Sequence, residues 1–322
     1  RKRKRGIMNC LVTGVAGFIG SHLCQRLLKE GFSVIGIDSF NDYYSRWIKD
    51  KNILPIKNHG QFQLISDNLN NIELRSLLKD VDYIFHIAAQ AGVRPSWGKN
   101  FSVYTENNIS ATQKLLEAAK DSNIKKLIYA SSSSVYGLCP ELPMSESSPL
   151  LPFSPYGVTK LAAENLCQLY FKNFNVPSVS LRYFTVYGPG QRPDMAFHIF
   201  LKSIHENKPI PLYGDGKQTR DFTYIDDIID ANVLSMDKGK AGEIYNVGGG
   251  NQREMNAIFP VLENITGKKV LIQHFDQQRG DVFHTYADID KAKKDLEFSP
   301  KIPLEEGLNH EWEWIQKLYS CK

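Results

Sequence analysis

The chain is short of cysteine, of long apolar runs and of net charge. Its five cysteines (Cys10, Cys24, Cys139, Cys167 and Cys321) are scattered, odd in number and never in a C-x-x-C pair. That spacing excludes a disulfide framework and a zinc site, so no metal is expected, and it points to a reducing, cytoplasmic setting. No stretch approaches the ~20 apolar residues of a membrane helix, and no signal-peptide pattern precedes the first strand pattern. No membrane partner is therefore expected, and the sequons at Asn108 and Asn264 read as idle. The formal charge of +4 is equally thin: Arg1, Lys2, Arg3, Lys4 and Arg5 supply five positives ahead of Met8, which reads as a natural start. The remainder holds 34 basic against 35 acidic residues. Such a basic run reads as a solvated end, so no nucleic-acid partner is expected. Internal repeats and low-complexity segments are missing too. What is present is 322 residues of ordinary globular composition, 42% hydrophobic and 23% charged, enough for two domains or one large domain with an appendage.

Strand and helix patterns alternate through the first half, which implies a parallel sheet covered on both faces. Strands are expected at 9–13, 33–37, 62–65, 82–87, 126–131 and 177–182, and helices at 18–30, 71–79, about 101–121 and about 157–174. Within that run, Leu11-Val12-Thr13-Gly14-Val15-Ala16-Gly17-Phe18-Ile19-Gly20 joins the first strand to the first helix, and Ser33-Val34-Ile35-Gly36-Ile37 ends at Asp38. Gly14 and Gly17 let the backbone turn tightly and approach a diphosphate, while Gly20 lets the helix lie close to the sheet. The start of that helix aims N–H groups at the phosphate. Asp38 is placed to accept hydrogen bonds from both adenosine ribose hydroxyls and to repel a 2′-phosphate, which favours NAD over NADP. After about residue 183 Gly and Pro become frequent (Gly188-Pro189-Gly190, Pro209, Pro211, Gly214, Gly216) and elements shorten. The expected architecture is α/β: a Rossmann-type doubly wound parallel sheet with a smaller C-terminal substrate-binding lobe. Residues 1–183 form the NAD-binding domain and 184–322 mainly the other lobe, with about 219–248 returning to the main sheet. The stripes Leu115, Leu116, Ala118, Ala119 and Leu161, Leu166, Leu169, Tyr170 are mostly core, and a surplus apolar face there would suit a homodimer.

A second constellation is Tyr156-Gly157-Val158-Thr159-Lys160, preceded by Ser131-Ser132-Ser133-Ser134 at the end of an expected strand. Tyr and Lys four apart share one helical face. An ammonium beside the phenol, near a positive nicotinamide ring, would bring a tyrosine pKa of about 10 down towards neutrality, where it can serve as a base. Ser132 can pass or share that proton. Tyr156, Lys160 and Ser132 are the expected catalytic group.

The motifs Thr13-Gly14-x-x-Gly17-x-x-Gly20, His86-Ile87-Ala88-Ala89, Tyr156-x-x-x-Lys160, Arg182-Tyr183-Phe184 and Arg220-Asp221-Phe222 run along almost the whole chain. With them the chain resembles the extended short-chain dehydrogenase/reductases, and within these the nucleotide-sugar 4-epimerases. Asn41-Asp42-Tyr43-Tyr44, Ala89-Gln90-Ala91-Gly92-Val93-Arg94 and Thr185-Val186-Tyr187-Gly188-Pro189-Gly190-Gln191-Arg192-Pro193-Asp194-Met195-Ala196 narrow the resemblance to UDP-glucuronate 4-epimerases. Galactose-type epimerases usually show an asparagine at the Thr185 position. The resemblance implies that Asp67 meets the adenine, that Ala88 and Gln90 face the diphosphate side, and that Tyr183 lines the nicotinamide pocket. Phe18, Ile19, Ala89 and Asn107 complete the cofactor set, which also includes Tyr156 and Lys160. Arg220 and Arg279 are implied partners of a UDP diphosphate.

The chemistry implied is removal of the 4-hydroxyl proton by Tyr156 while hydride leaves carbon 4 for NAD⁺, then return of the hydride to the other face after the keto sugar turns. A uronate makes this harder, because a 4-keto uronate is a β-keto acid that loses carbon dioxide when the breaking bond stands perpendicular to the carbonyl plane. Arg192 and Thr185 are the candidates to hold the carboxylate away from that geometry, assisted by Arg94 and the hydroxyls of Ser133 and Ser134, and Ser132 joins them in the expected substrate-binding set. Sugar 4,6-dehydratases place an acid pair where Ser133 and Ser134 stand, and decarboxylases keep a glutamate at Ser134. Without a carboxylate there, simple 4-epimerisation remains. Two alternatives stay open: a 4-epimerase of neutral or N-acetylated UDP-hexoses, and a non-catalytic NAD-sensing protein.

Overall fold

A computed structural model describes residues 7–250 and 252–320, so the basic run Arg1 to Arg5 and Cys321 lie outside the described residues. Six strands follow the expected pattern: β1 (Asn9–Thr13), β2 (Ser33–Ile37), β3 (Phe62–Ile65), β4 (Tyr83–His86), β5 (Lys126–Ser132) and β6 (Ser178–Tyr183). A seventh, Ile244–Val247, comes from far down the chain and pairs in parallel with β6. The order is Ile244–Val247, β6, β5, β4, β1, β2, β3, with every pairing parallel. Growth of the sheet reverses direction between β1 and β4, which opens a crevice at the strands' carboxyl ends.

The strands are apolar because both faces are covered. Cys10 and Val12 of β1 face one core with Phe85, Ile128 and Leu181, while Leu11 faces the other with Ile84, Leu127 and Tyr129. Helix α1 (Phe18–Lys29) buries Phe18, Leu23, Cys24, Leu27 and Leu28 against the first face. The helix Pro155–Phe174 lies on the opposite face, started by Ser154, whose hydroxyl accepts from the Gly157 N–H at 3.1 Å, with Pro155 in its first turn.

Four differences from the sequence pattern bear on the site. The expected helix at 71–79 is broken into short turns, Leu69–Asn71, Leu74–Leu77 and Leu78–Asp80. The expected helix at 101–121 is interrupted by a π turn at Thr105–Ser110. A further helix, α2 (Arg46–Ile53), is mostly polar and buries Ile48, Lys49 and Ile53. Within the segment expected to return to the main sheet, Ile244–Val247 joins it, whereas Thr219–Asp221 pairs antiparallel with Gln252–Glu254. The helix Ile225–Asp237 that follows does pack on α1, where Arg26 and Asp230 form an ion pair at 2.8 Å. Among the described residues Cys10, Cys24, Cys139 and Cys167 are free thiols, no cluster is suited to a metal, and no helix is long and apolar enough to cross a membrane.

Candidate active site

The glycine loop turns at Gly14, whose φ is +74° and where a Cβ would stand 2.9 Å from the Ala88 backbone. A Cβ at Gly20 would meet the Gly14 carbonyl oxygen at 2.1 Å, so α1 can close on the loop only with glycine there. No side chain caps α1 at Gly17, which leaves its first-turn N–H groups for an anion. Asp38 ends β2 and accepts from the backbone N–H groups of Ala16 and Phe40 at 2.9 and 2.8 Å, fastening the loop to the second strand. Burial raises its carboxyl, opposed by those N–H bonds and by Lys49. Lys49, on α2, is itself buried and donates to the Asn41 carbonyl and side-chain oxygens at 2.6 and 2.7 Å. Asn52 of the same helix donates to the Ala16 carbonyl at 3.0 Å. On the other side of the loop Thr13, His86 and Thr112 form a buried chain at 2.9 Å per link, and the Ala88 N–H donates to Thr13 Oγ1 at 3.1 Å. Burial, with Lys160 adding, pushes His86 down to about 3, so it holds this chain as a neutral imidazole.

One cavity is lined by Gly14, Gly17, Phe18, Ile19, Gly20, Asp38, Asp67, Ala88, Ala89, Gln90, Asn107, Tyr156, Lys160 and Tyr183, the whole expected cofactor set. A loop with no Cβ in its cradle, an uncapped helix start and a carboxylate at the end of β2 fit a dinucleotide with free ribose hydroxyls. Asn108, in the π turn, was not among the expected residues. It is buried, its Oδ1 accepts from the Gln90 N–H at 2.7 Å, and its Nδ2 donates to the Gln90 carbonyl and Thr159 Oγ1 at 3.0 and 2.9 Å. The π turn thus ties the cavity wall to the helix of Tyr156. It also closes the Asn108 sequon inside the fold.

Tyr156 and Lys160 stand on that helix beside β5. Ser132 Oγ accepts from the Ser134 N–H at 3.1 Å and shares a cavity wall with the Tyr156 phenol. The expected lowering of the phenol by Lys160 is not what the geometry gives. Burial raises Tyr156, and Arg192 and the nearby Ser132 hydroxyl are what oppose it. The Lys160 ammonium instead donates to the Ala130 carbonyl and sits 4.6 Å from the Tyr129 ring centroid. Burial brings it down to about 8. Below it, Glu164 accepts from Ser131 Oγ at 2.6 Å and from Arg182 Nε and Nη2 at 3.0 and 2.6 Å, a buried bidentate pair.

A second, larger cavity opens from the first and is lined by Tyr156, Ser132, Ser133, Ser134, Thr185, Arg192, Arg94 and Arg220. At its far end Arg94 pairs with Asp281 at 2.8 Å and stacks 4.1 Å from the Tyr213 ring centroid. Arg220 donates to the carbonyls of Thr219 and Phe283 at 2.8 and 3.1 Å and pairs with no carboxylate among the described residues. Burial lowers its guanidinium, with Asp281 opposing. Arg279 is not brought together with these groups. Gly280, at φ +86°, turns the chain so that Asp281 faces Arg94, while Arg279 lines a neighbouring cavity with Trp97, Phe101, Phe153 and Val158.

Residues 10–248 match the model of the NAD dependent epimerase/dehydratase family. A Bacillus subtilis protein named as an uncharacterized UDP-glucose epimerase, YtcB, is 45% identical over 97% of this chain and 99% of its own. A UDP-glucuronate 4-epimerase of Thermodesulfobacterium geofontis is 43% identical over 95% of this chain and 96% of its own. The crystal structure of UDP-glucuronic acid 4-epimerase from Bacillus cereus, in complex with UDP-glucuronic acid and NAD, superposes with a TM-score of 0.95 at 48% identity, covering 97% of this chain and 100% of that one.

Proposed function

The chain belongs to the NAD dependent epimerase/dehydratase family, and from that premise we propose that it is an isomerase that inverts carbon 4 of UDP-glucuronate to give UDP-galacturonate. The observation that carries the reading is a cavity in which Tyr156 and a serine cluster face Arg192, with serines where a second reaction would need acids. When bound, NAD supplies a reversible hydride acceptor for carbon 4.

Tyr156 takes the proton of the 4-hydroxyl and later returns it to the same oxygen, with the Ser132 hydroxyl on the same cavity wall to share it. Lys160 lines the cofactor cavity beside Tyr156, where its ammonium would hold the cofactor in place for the transfer. The glycine loop holds the diphosphate of the cofactor, Asp38 its ribose and Asp67 its adenine. Ala88, Ala89, Gln90, Asn107 and Tyr183 line the rest of its length. Arg220, with a guanidinium uncommitted to any carboxylate, takes the UDP diphosphate, and Arg279 stands at the edge of that site. Arg192 and Thr185, with Arg94, Ser133 and Ser134, hold the uronate carboxylate in the carbonyl plane and retain the carbon dioxide.

The same reading assigns the sheet through residue 183, closed by Ile244–Val247, to the cofactor and residues 184–322 mainly to the UDP-sugar. It places the protein in a reducing cytoplasm and pairs two copies through exposed Phe101, Val103, Val158 and Leu169 on the helices of one sheet face, which light scattering would check. A neutral UDP-hexose is the second reading, favoured by the name of the Bacillus subtilis relative. Tyr156 shared between the two cavities, with Lys160 lining one and Ser132 the other, argues against a sensor without turnover. Incubation of the purified protein with UDP-glucuronate is expected to yield UDP-galacturonate. A UDP-pentose product, or turnover confined to UDP-glucose, would overturn the assignment.

A further inference from the structure

Arg192 presents two hydrogen-bonding edges, and the protein itself occupies one of them. Nε and Nη2 donate to the two oxygens of Asp194 at 3.0 and 3.1 Å, which is the side-on edge of the guanidinium plane. Nη1 makes no hydrogen bond among the described residues, so the end-on edge, built from both terminal nitrogens, stays open to a second acceptor. Because the guanidinium is rigid and planar, a carboxylate fixed on one edge dictates where the other edge points.

Asp194 is held in turn. The Tyr43 hydroxyl, from the segment after β2, crosses to Asp194 Oδ2 at 3.1 Å. Gly92, at φ +99°, makes that reach possible, since a Cβ there would lie 2.2 Å from the Tyr43 oxygen. Tyr104 steadies this turn by donating to the Ala91 and Gly92 carbonyls at 2.9 and 2.8 Å. Burial alone would raise the Asp194 carboxyl, but Arg192 outweighs it and holds the group ionised below the usual range. Tyr43 and Arg192 each line both cavities and Asp194 lines the substrate cavity, so the three form one chain where the two cavities meet.

We propose that Asp194 and Tyr43 are positioning residues that aim the open edge of Arg192 at the carboxylate of the substrate and so suppress its loss. The inference rests on the uronate reading above. At the 4-keto stage, decarboxylation breaks the bond between carbons 5 and 6. Its electron pair moves into the carbonyl at carbon 4, and the enolate takes a proton at carbon 5 from solvent. The two electrons already passed to the cofactor stay there, so each such event leaves one equivalent of reduced cofactor with one of carbon dioxide. The Arg192–Asp194 pair carries no net charge, so it contributes direction more than attraction. Its disruption is therefore expected to alter product partition more than affinity.

The test uses the full chain with UDP-glucuronate and compares Asp194→Asn, Tyr43→Phe and Asp194→Glu with the parent. Carbon dioxide and reduced cofactor are measured against UDP-galacturonate, alongside KM and kcat. Asp194→Asn is expected to raise the decarboxylated fraction about tenfold or more with KM within about threefold, given the sensitivity of rates to misplacements of about 1 Å. Tyr43→Phe is expected to move it in the same direction by less, and Asp194→Glu to restore most of the parent partition. Parent-like partition in both Asp194→Asn and Tyr43→Phe would overturn the proposal while leaving the uronate reading intact. A parent protein that turns over UDP-glucose and not UDP-glucuronate would overturn both.

Discussion

Lys160 and Glu164 sit one helical turn apart, both buried, and the protein treats them in opposite ways. Glu164 is surrounded by donors: two from Arg182 and one from Ser131, with Arg182 continuing to the Tyr136 hydroxyl at 2.8 Å. Lys160 has a backbone carbonyl and an aromatic ring, and no carboxylate within ion-pair distance among the described residues. Paired charges in a dry interior fix elements in place, whereas a charge without a counter-ion opposes folding and survives where chemistry uses it. One face of one helix thus carries a fastening and a tool.

The sharpest way to break that comparison is at the tool. Tyr156→Phe removes the proton acceptor and is expected to lower turnover by about 10²–10⁴ in a steady-state assay, with folding intact by circular dichroism. Lys160→Met is expected to lose turnover on a similar scale and yet gain stability. The folded-state value of Lys160, about 8, lies below its ordinary 10.5, so the unfolded chain binds that proton more tightly. Lys160 therefore opposes folding below pH about 8, and the penalty fades as pH rises towards 10.5. At pH 7 the variant is expected to unfold about 1–3 kcal/mol later in urea, the gap narrowing with rising pH. A variant less stable than its parent at pH 7 would refute the contrast.

The fastening gives the reverse signature. Glu164→Gln leaves Arg182 as an uncompensated buried charge and is expected to lose about 3–5 kcal/mol in urea unfolding, part of it recovered in Glu164→Gln with Arg182→Met. Asn108→Ala leaves the backbone of Gln90 unpartnered and is expected to lose about 1–3 kcal/mol, with weaker NAD binding in a titration. The smallest effect is expected at Arg279→Ala. It should change KM for the UDP-sugar by less than about threefold, against more than about tenfold for Arg220→Ala, whose guanidinium faces the cavity without a carboxylate partner. Equal effects would return Arg279 to the main site.

The sheet was legible because parallel strands buried on both faces leave continuous apolar runs such as Cys10-Leu11-Val12 and Leu127-Ile128-Tyr129-Ala130. The glycine loop was legible because backbone geometry demanded specific residues at 14, 17 and 20. What stayed hidden depends on contacts distant in sequence. Helix α2 has a mostly polar sequence, and its Lys49 gains a role only once Asn41 folds over it. Asn108 looks like any helix residue until a π turn rotates it inward, and periodicity of 3.6 does not register such a turn. The environment of Lys160 was misjudged because the sequence shows that it lies four residues from Tyr156 but not that the Ala130 carbonyl lies closer at hand.

The strand Ile244–Val247 carries a lesson for anyone wishing to dissect this protein. It covers the long flank of β6, a strand buried along its whole length and bearing Arg182. A fragment cut after residue 183 would bare that flank to water and to its own copies, an invitation to sticky edge-to-edge association. During biosynthesis the same flank must wait some sixty residues for its cover. The chain on either side of residue 183 is therefore made as one piece, and expressing residues 1–183 alone is expected to yield inclusion bodies rather than a nucleotide-binding fragment.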